Sequence, residues 1–271
     1  MARPRRRAPE TIAFLGDIHA GSWWGLWPRS RLPGDGFLGP RYLLDCWDDL
    51  QRRWPKKLDL LILAGDLIEG PQRRSGGHGV FSVSDKEQVE GAISLLRPFA
   101  RRAERIIRIT GTPYHDGPGD PLIALDYALE VAHTTQVLDL KLPEGILNVA
   151  HHPMGGATLY TGTQVDREGL WSTIASGAHR THDARWIVRA HRHHWLHQAS
   201  ETKDVVLLPA WQLATPYAVK ANYWRYQPSL GGVLMRRDPA AWGGYRFDPQ
   251  LYALPLQEPM ETHRLGSPKK E

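Results

Sequence analysis

Hydrophobic residues in this chain gather into short runs, and five of those runs stop at a small residue with carboxylate or imidazole groups just beyond it. Thr11-Ile12-Ala13-Phe14-Leu15 runs into Gly16-Asp17, and Leu58 to Ala64 runs into Gly65-Asp66. Ile106 to Thr110 closes at Gly111, Ile146 to Ala150 is followed by His151-His152-Pro153, and Arg185 to Ala190 by His191-Arg192-His193-His194. Apolar runs of this length, bounded by turn residues, predict buried strands. Between them the spacing changes. Residues 40–54 place Tyr42, Leu43, Cys46, Trp47 and Leu50 on one helical face, and Pro55 ends the segment. Ser84-Asp85-Lys86-Glu87 has the chemistry of a helix cap and opens a helix running to about Arg105, which Pro98 should kink or divide. Residues 121–133 and 166–180 predict two more helices. Residues 21–39, rich in Gly, Pro and Trp, and the Gly-rich stretch 70–80 predict loops; beyond 203, short apolar runs broken by Pro and Gly predict closing strands. Strands alternating with helices, then mostly strands, define an α/β domain with a mixed sheet. The continuous apolar strands imply a sheet covered on both faces.

Composition narrows this picture. A chain of 271 residues with 41% hydrophobic and 23% charged residues has ordinary globular make-up and enough length for a sizeable core. No apolar run approaches the roughly 18 residues of a membrane helix, and no apolar signal stretch follows the N-terminus. Cys46 is the single cysteine, which excludes an intrachain disulfide and cysteine-rich zinc modules and fits a cytoplasmic protein. Much of the net charge of +5 sits at Arg3, Arg5, Arg6 and Arg7; residues 1–10 read as a solvated, disordered basic tail rather than a nucleic-acid contact. A domain over 11–258 and a C-terminal tail over 259–271 complete the expected organisation.

The 13 His residues change the picture most, because several cluster at the strand ends. Ligands of α/β sheets bind beyond the carboxyl ends of the strands. Residues i and i+2 of an extended chain point to one side, so Asp17 with His19, and His191 with His193, are expected to aim at common points. A site of carboxylates and imidazoles without thiolates suits Mn, Fe, Zn, Co or Ni. Asp66 is placed to bridge two ions about 3.5–4 Å apart, an arrangement that clamps an in-line phosphoryl displacement.

With these motifs in this order, the chain resembles the calcineurin-like metallophosphoesterase superfamily, whose pattern is D-x-H, G-D, G-N-H-D/E, a lone His after a strand, and G-H-x-H. The matching positions are Gly16-Asp17-Ile18-His19, Gly65-Asp66, Gly111-Thr112-Pro113-Tyr114-His115-Asp116, His151-His152-Pro153 and Ala190-His191-Arg192-His193, spanning residues 11–195. The resemblance implies a mixed double β-sheet sandwich flanked by helices. It implies two divalent metal ions, Mn foremost: Asp17, His19 and His193 on one, His151 and His191 on the other, Asp66 between them. His151 is preferred to His152 because the family's ligand lies two residues before the Pro. His115 and Asp116 match the family's catalytic His-acid pair, with His115 steadying the phosphoryl group or protonating the leaving group and Asp116 orienting His115. Two departures stand out. Ala190 replaces a Gly, and Gly-Thr-Pro-Tyr-His-Asp replaces G-N-H-D/E, a form similar to phage-associated members. The usual Asn ligand is missing, and Thr112 offers a hydroxyl in its place.

The expected activity is metal-dependent hydrolysis of phosphoesters by a metal-activated hydroxide, on diesters or with broad specificity. The substrate is a small molecule or a nucleotide; nucleic acid is weakly supported as a partner, and a membrane is not expected. A DNA-processing nuclease, a protein phosphatase, or a non-catalytic metal- or nucleic-acid-binding protein are the alternatives. His78 and Arg192 are candidate substrate contacts, against plain solvated side chains. Trp23 is expected either to stack on a nucleobase or aromatic leaving group, or to pack as core or as an oligomer contact.

Overall fold

The computed structural model describes residues 8–34, 36–73, 76–117, 120–153, 162–220 and 228–254. Residues 1–7 of the basic tail expected over 1–10, and the C-terminal tail over 259–271, lie outside them.

β1 (Thr11–Leu15), β2 (Leu60–Ala64), β3 (Ile106–Ile109) and β4 (His133–Thr135) run parallel in that spatial order. β10 (Leu230–Arg237) and β11 (Tyr245–Tyr252) extend the β1 edge antiparallel, giving a six-stranded sheet. A second sheet of five strands has β6 (Gly145–Ala150), β7 (Ala184–Arg189) and β9 (Asp204–Leu207) parallel at its centre. β5 (Val137–Leu142) and β8 (Leu196–Ala199) are its antiparallel edges.

Strand alternation decides what each face buries. Ile12, Phe14, Ile62, Ile107 and Ile109 of the first sheet pack on Leu147, Val149, Trp186, Val188 and Val206 of the second. Ala13, Leu15, Leu61 and Leu63 turn the other way, against α1 (Leu38–Arg53) and α2 (Asp85–Ala100). There Trp47 of α1 meets Phe99 and Trp211 edge-on, at 5.0 and 4.7 Å between ring centres. On the outer face of the second sheet, Ile187, Val205 and Leu207 pack on Val165 of α5 (Gly162–Gly177). The result is two mixed sheets back to back with helices outside both, the double sandwich expected.

Several element boundaries differ from expectation. Ser84 caps α2 by accepting from the Glu87 N–H at 3.4 Å, yet the helix stops at Ala100 rather than near Arg105. Pro98 sits in its last turn, and the chain beyond Ala100 must turn back to start β3. The helix expected over 121–133 is only α4 (Ile123–Ala128), because Glu130 takes a left-handed backbone (φ 56°) and His133–Thr135 joins the sheet as β4. β6 matches the run Ile146 to Ala150, while its hairpin partner β5, a partly exposed strand without a long apolar run, was not expected. α3 (Pro113–Asp116), a single turn, and α6 (Pro216–Lys220) complete the elements.

Candidate metal centre

The carboxyl ends of β1, β2, β3, β6 and β7 lie together, so the five strand-end motifs meet at one edge of the sandwich. One ligand atom from each of Asp17, His19 and His193 lies within 4.8 Å of the other two, and the same holds for Asp17, Asp66 and His151. His151, His152 and His191 form a third such group, so His152, set aside in the sequence, is also within reach.

The convergence does not come from extended chain, as the i, i+2 spacing suggested. Asp17 (φ 47°), His19 (49°), Asp66 (46°), His191 (68°) and His193 (56°) all adopt left-handed backbone. The strands end at Leu15, Ala64 and Arg189, and the side chains are aimed by the sharp turns that follow. Such conformations are disfavoured for residues with a Cβ and persist where the surroundings impose them. Here the backbone is pinned across strands: Asp17 N donates to Gly65 O at 3.0 Å and His19 N to Asp66 O at 3.1 Å. Two glycines make room. A Cβ on Gly65 would stand 2.3 Å from His151 Nδ1, and one on Gly111 would stand 2.2 Å from Asp66 Oδ1.

Hydrogen bonds leave each group with one end held and the other turned inward. Asp17 Oδ2 accepts from the His191 N–H at 2.8 Å, while buried Asp17 Oδ1 has no hydrogen-bond partner. Asp66 Oδ1 accepts from Thr112 N at 2.6 Å and Thr112 Oγ1 at 3.1 Å, so Asp66 Oδ2 faces His151 and His191. His151 Nδ1 donates to Ala64 O at 2.8 Å. In the neutral ring the lone pair is then on Nε2, 3.1 Å from Asp66 Oδ2 and without a hydrogen-bond partner. His19 Nδ1 meets Glu69 Oε2 at 2.8 Å, and His19 Nε2 stands 3.3 Å from His193 Nε2, which is 3.6 Å from Asp17 Oδ1. Lone pairs facing lone pairs at these distances call for a cation between them, and the backing of His19 by a carboxylate is the usual support of a metal-bound imidazole. The residues present therefore fit divalent metal.

The electrostatics agree. Burial alone would raise the Asp17 and Asp66 carboxyls, but the surrounding imidazoles hold both below the ordinary range, His193 chiefly for Asp17 and His151 for Asp66. Burial works against charge on His151, yet Asp66 and Asp17 raise it to about 9, a demand for positive charge that a metal ion also meets. Burial and the neighbouring His115 lower His19, which favours its neutral, ligating form.

The remaining expected residues separate. His115 lines the cavity beside the centre, and its Nδ1 donates to Glu69 O at 2.7 Å. Asp116 does not orient it. That carboxylate is buried and accepts from Gly111 N at 2.5 Å; burial first, then Asp66, pushes it up to about 6. Asp116 thus shapes the turn after β3. The Thr112 hydroxyl is engaged by Asp66 and by the His115 N–H at 3.3 Å, so it fixes Asp66 and caps α3. Trp23 and His78 line the cavity, while Arg192, half-buried between His191 and His193, is not part of its described lining. Sequence reasoning missed Glu69 and Gln212. Gln212 donates to Glu69 Oε2 at 2.9 Å, and Gln72 donates to Glu69 Oε1 at 2.5 Å. A buried carboxylate three residues past Asp66 was the available clue.

Two mixed sheets thus stand back to back with carboxylates and imidazoles collected at one end. Similar solved structures include Vps29 from Entamoeba histolytica complexed with Zn+2, 10% identical over 89% of this chain and 98% of that chain, TM-score 0.44. A novel archaeal phosphodiesterase is 12% identical over 89% of this chain and 99% of that one, TM-score 0.44. A predicted phosphoesterase from Streptococcus pneumoniae TIGR4 is 11% identical over 90% of this chain and 100% of that one, TM-score 0.38. No family model matches the chain, and no curated protein matches it. Among the described residues, no helix is long and apolar enough to cross a membrane.

Proposed function

We propose that this chain is a metal-dependent phosphoesterase acting on phosphodiesters or with broad specificity. Asp17, His19 and His193 would hold one divalent ion and His151 and His191 a second, with Asp66 shared and Mn the first metal to try. The observation that carries this reading is the pair of buried, partnerless atoms Asp17 Oδ1 and His151 Nε2, 4.0 Å apart amid inward-facing imidazoles. Metal bound there supplies Lewis-acid charge for phosphoryl oxygens and a water of lowered pKa. The chain's own residues do the rest. Thr112 holds Asp66 in one rotamer, and Glu69 sets the His19 tautomer so that Nε2 faces the centre. His115, with Nδ1 tied to Glu69 O, keeps Nε2 for the substrate; protonated, it can donate to a leaving oxygen.

The test is hydrolysis of bis-p-nitrophenyl phosphate and p-nitrophenyl phosphate across Mn, Ni, Co and Zn, with Asp66→Ala as control. Metal-dependent turnover lost in Asp66→Ala is expected. Tight metal binding with no turnover of either ester would instead mark a metal-binding protein without hydrolysis. Full activity in Asp66→Ala would remove the site assignment.

A further inference from the structure

We propose that the cavity beside the metal centre binds a planar aromatic ring of the substrate, of the nucleobase class, with Trp23 as its stacking platform. This rests on the phosphoesterase reading and narrows its substrate. The cavity has a volume of about 850 Å³ and is lined by His19, Asp66, His191 and His193 on one side. That is the scale of pockets which enclose a whole small molecule, well beyond a phosphate group alone. The rest of its wall mixes polar residues with four large aromatic ones, Trp23, Trp24, Tyr114 and Tyr217.

A single exposed Trp means little, but Trp23 is built in place. Its backbone N–H donates to Gly79 O at 2.8 Å, and its ring packs on Trp24 at 6.1 Å, Phe37 at 6.2 Å and Phe81 at 6.5 Å between centres. Phe81 in turn stacks on Trp27 at 5.9 Å and 12°. The ring is thus buttressed by three aromatic neighbours, while 41% of the residue remains exposed. A rigid, wet indole loses little conformational freedom when a flat ring covers it. The adjoining Gly79 loop is built to the same wall: a Cβ on Gly79 would stand 2.5 Å from the Trp24 ring. Tyr114 donates to Gln72 Oε1 at 2.8 Å, so the same cavity lining also offers an amide and a phenol for polar contact with a base. Stacking on aromatic side chains accepts every base, whereas an alkyl or bare sugar ester gains no comparable π contact.

The test compares AMP with ribose 5-phosphate, which differ in the base alone, by calorimetric titration of the Mn-loaded protein. AMP should bind roughly tenfold more tightly, the scale of one stacked base. Trp23→Ala should bring AMP to the ribose 5-phosphate value. Because that change also removes packing on Phe37 and Phe81, Tyr217→Ala, at a residue 73% exposed, serves as a second variant and should reduce the AMP preference severalfold. Equal affinity for the two ligands in the wild type, or an AMP preference untouched by both variants, overturns the ring site. If bis-p-nitrophenyl phosphate is still turned over with Mn, the phosphoesterase reading survives that result. No turnover together with no binding of either ligand removes both.

Discussion

Glu69 holds three side chains at once: His19 and Gln212 at Oε2, Gln72 at Oε1. Loss of a carboxylate behind a metal-bound imidazole typically costs 10–100-fold in affinity. Glu69→Ala should weaken Mn binding by about that factor, read by chelator competition, with Glu69→Gln nearer the wild type because it still accepts from His19. Unchanged affinity in Glu69→Ala would show that His19 is positioned without it. The glycines give a second check. Gly111→Ala sets a methyl against the Asp66 carboxylate and should cost about 1–3 kcal/mol in urea unfolding, with reduced metal content in the folded fraction. At this scale the sequence showed which residues carry ligand atoms, because chemistry is written in residue type. It did not show the left-handed turns at Asp17, His19 and Asp66, since these are imposed by neighbouring strands. For the same reason Asp116 was assigned to His115, its neighbour in sequence, when the Glu69 carbonyl does that work.

Among the elements, β3 carries a buried ionic tie within an otherwise apolar strand. Arg108, fully buried at its centre, donates to Asp126 at 2.6 and 2.8 Å and to Asp120 at 2.7 Å, tying the strand to α4 and the turn before it. Removing one side of a buried ion pair costs about 3–5 kcal/mol because the partner charges remain. Arg108→Ala should lower stability on that scale, measured by denaturant midpoint; a loss below about 1 kcal/mol would mean the carboxylates find water instead. The pairing also explains why the helix expected over 121–133 was too long. Asp126 faces β3 and Thr134 donates to it at 2.8 Å, which draws the following residues into β4. Long apolar strands such as β1 and β2 were legible from their runs. β4 and β5 were not, because each lies at a sheet edge with one face exposed.

For the whole molecule, the fold class was legible from the order of runs, and the division into two sheets followed from the family resemblance rather than from periodicity. That division puts half of the centre on each layer. Asp17, His19 and Asp66 follow strands of the first sheet, and His151, His191 and His193 follow strands of the second. Metal bound there would tie the layers together, and mass action would make it stabilising. Mn at about 100 times its Kd should raise the melting temperature by about 5–10 °C, an effect abolished by EDTA and absent in Asp66→Ala. A melting temperature indifferent to Mn would argue against a centre shared by both sheets. The strand order has a further consequence, for synthesis. β1 lies in the interior of its sheet between β2 and β10, and Phe14 pairs with Val233. The whole second sheet is made between those two residues. At ribosomal rates β1 waits roughly 10–40 s with one edge bare. A nascent chain carrying an unpaired, fully apolar strand for that long is a natural client for chaperones, and its yield should depend on them more than its final stability suggests.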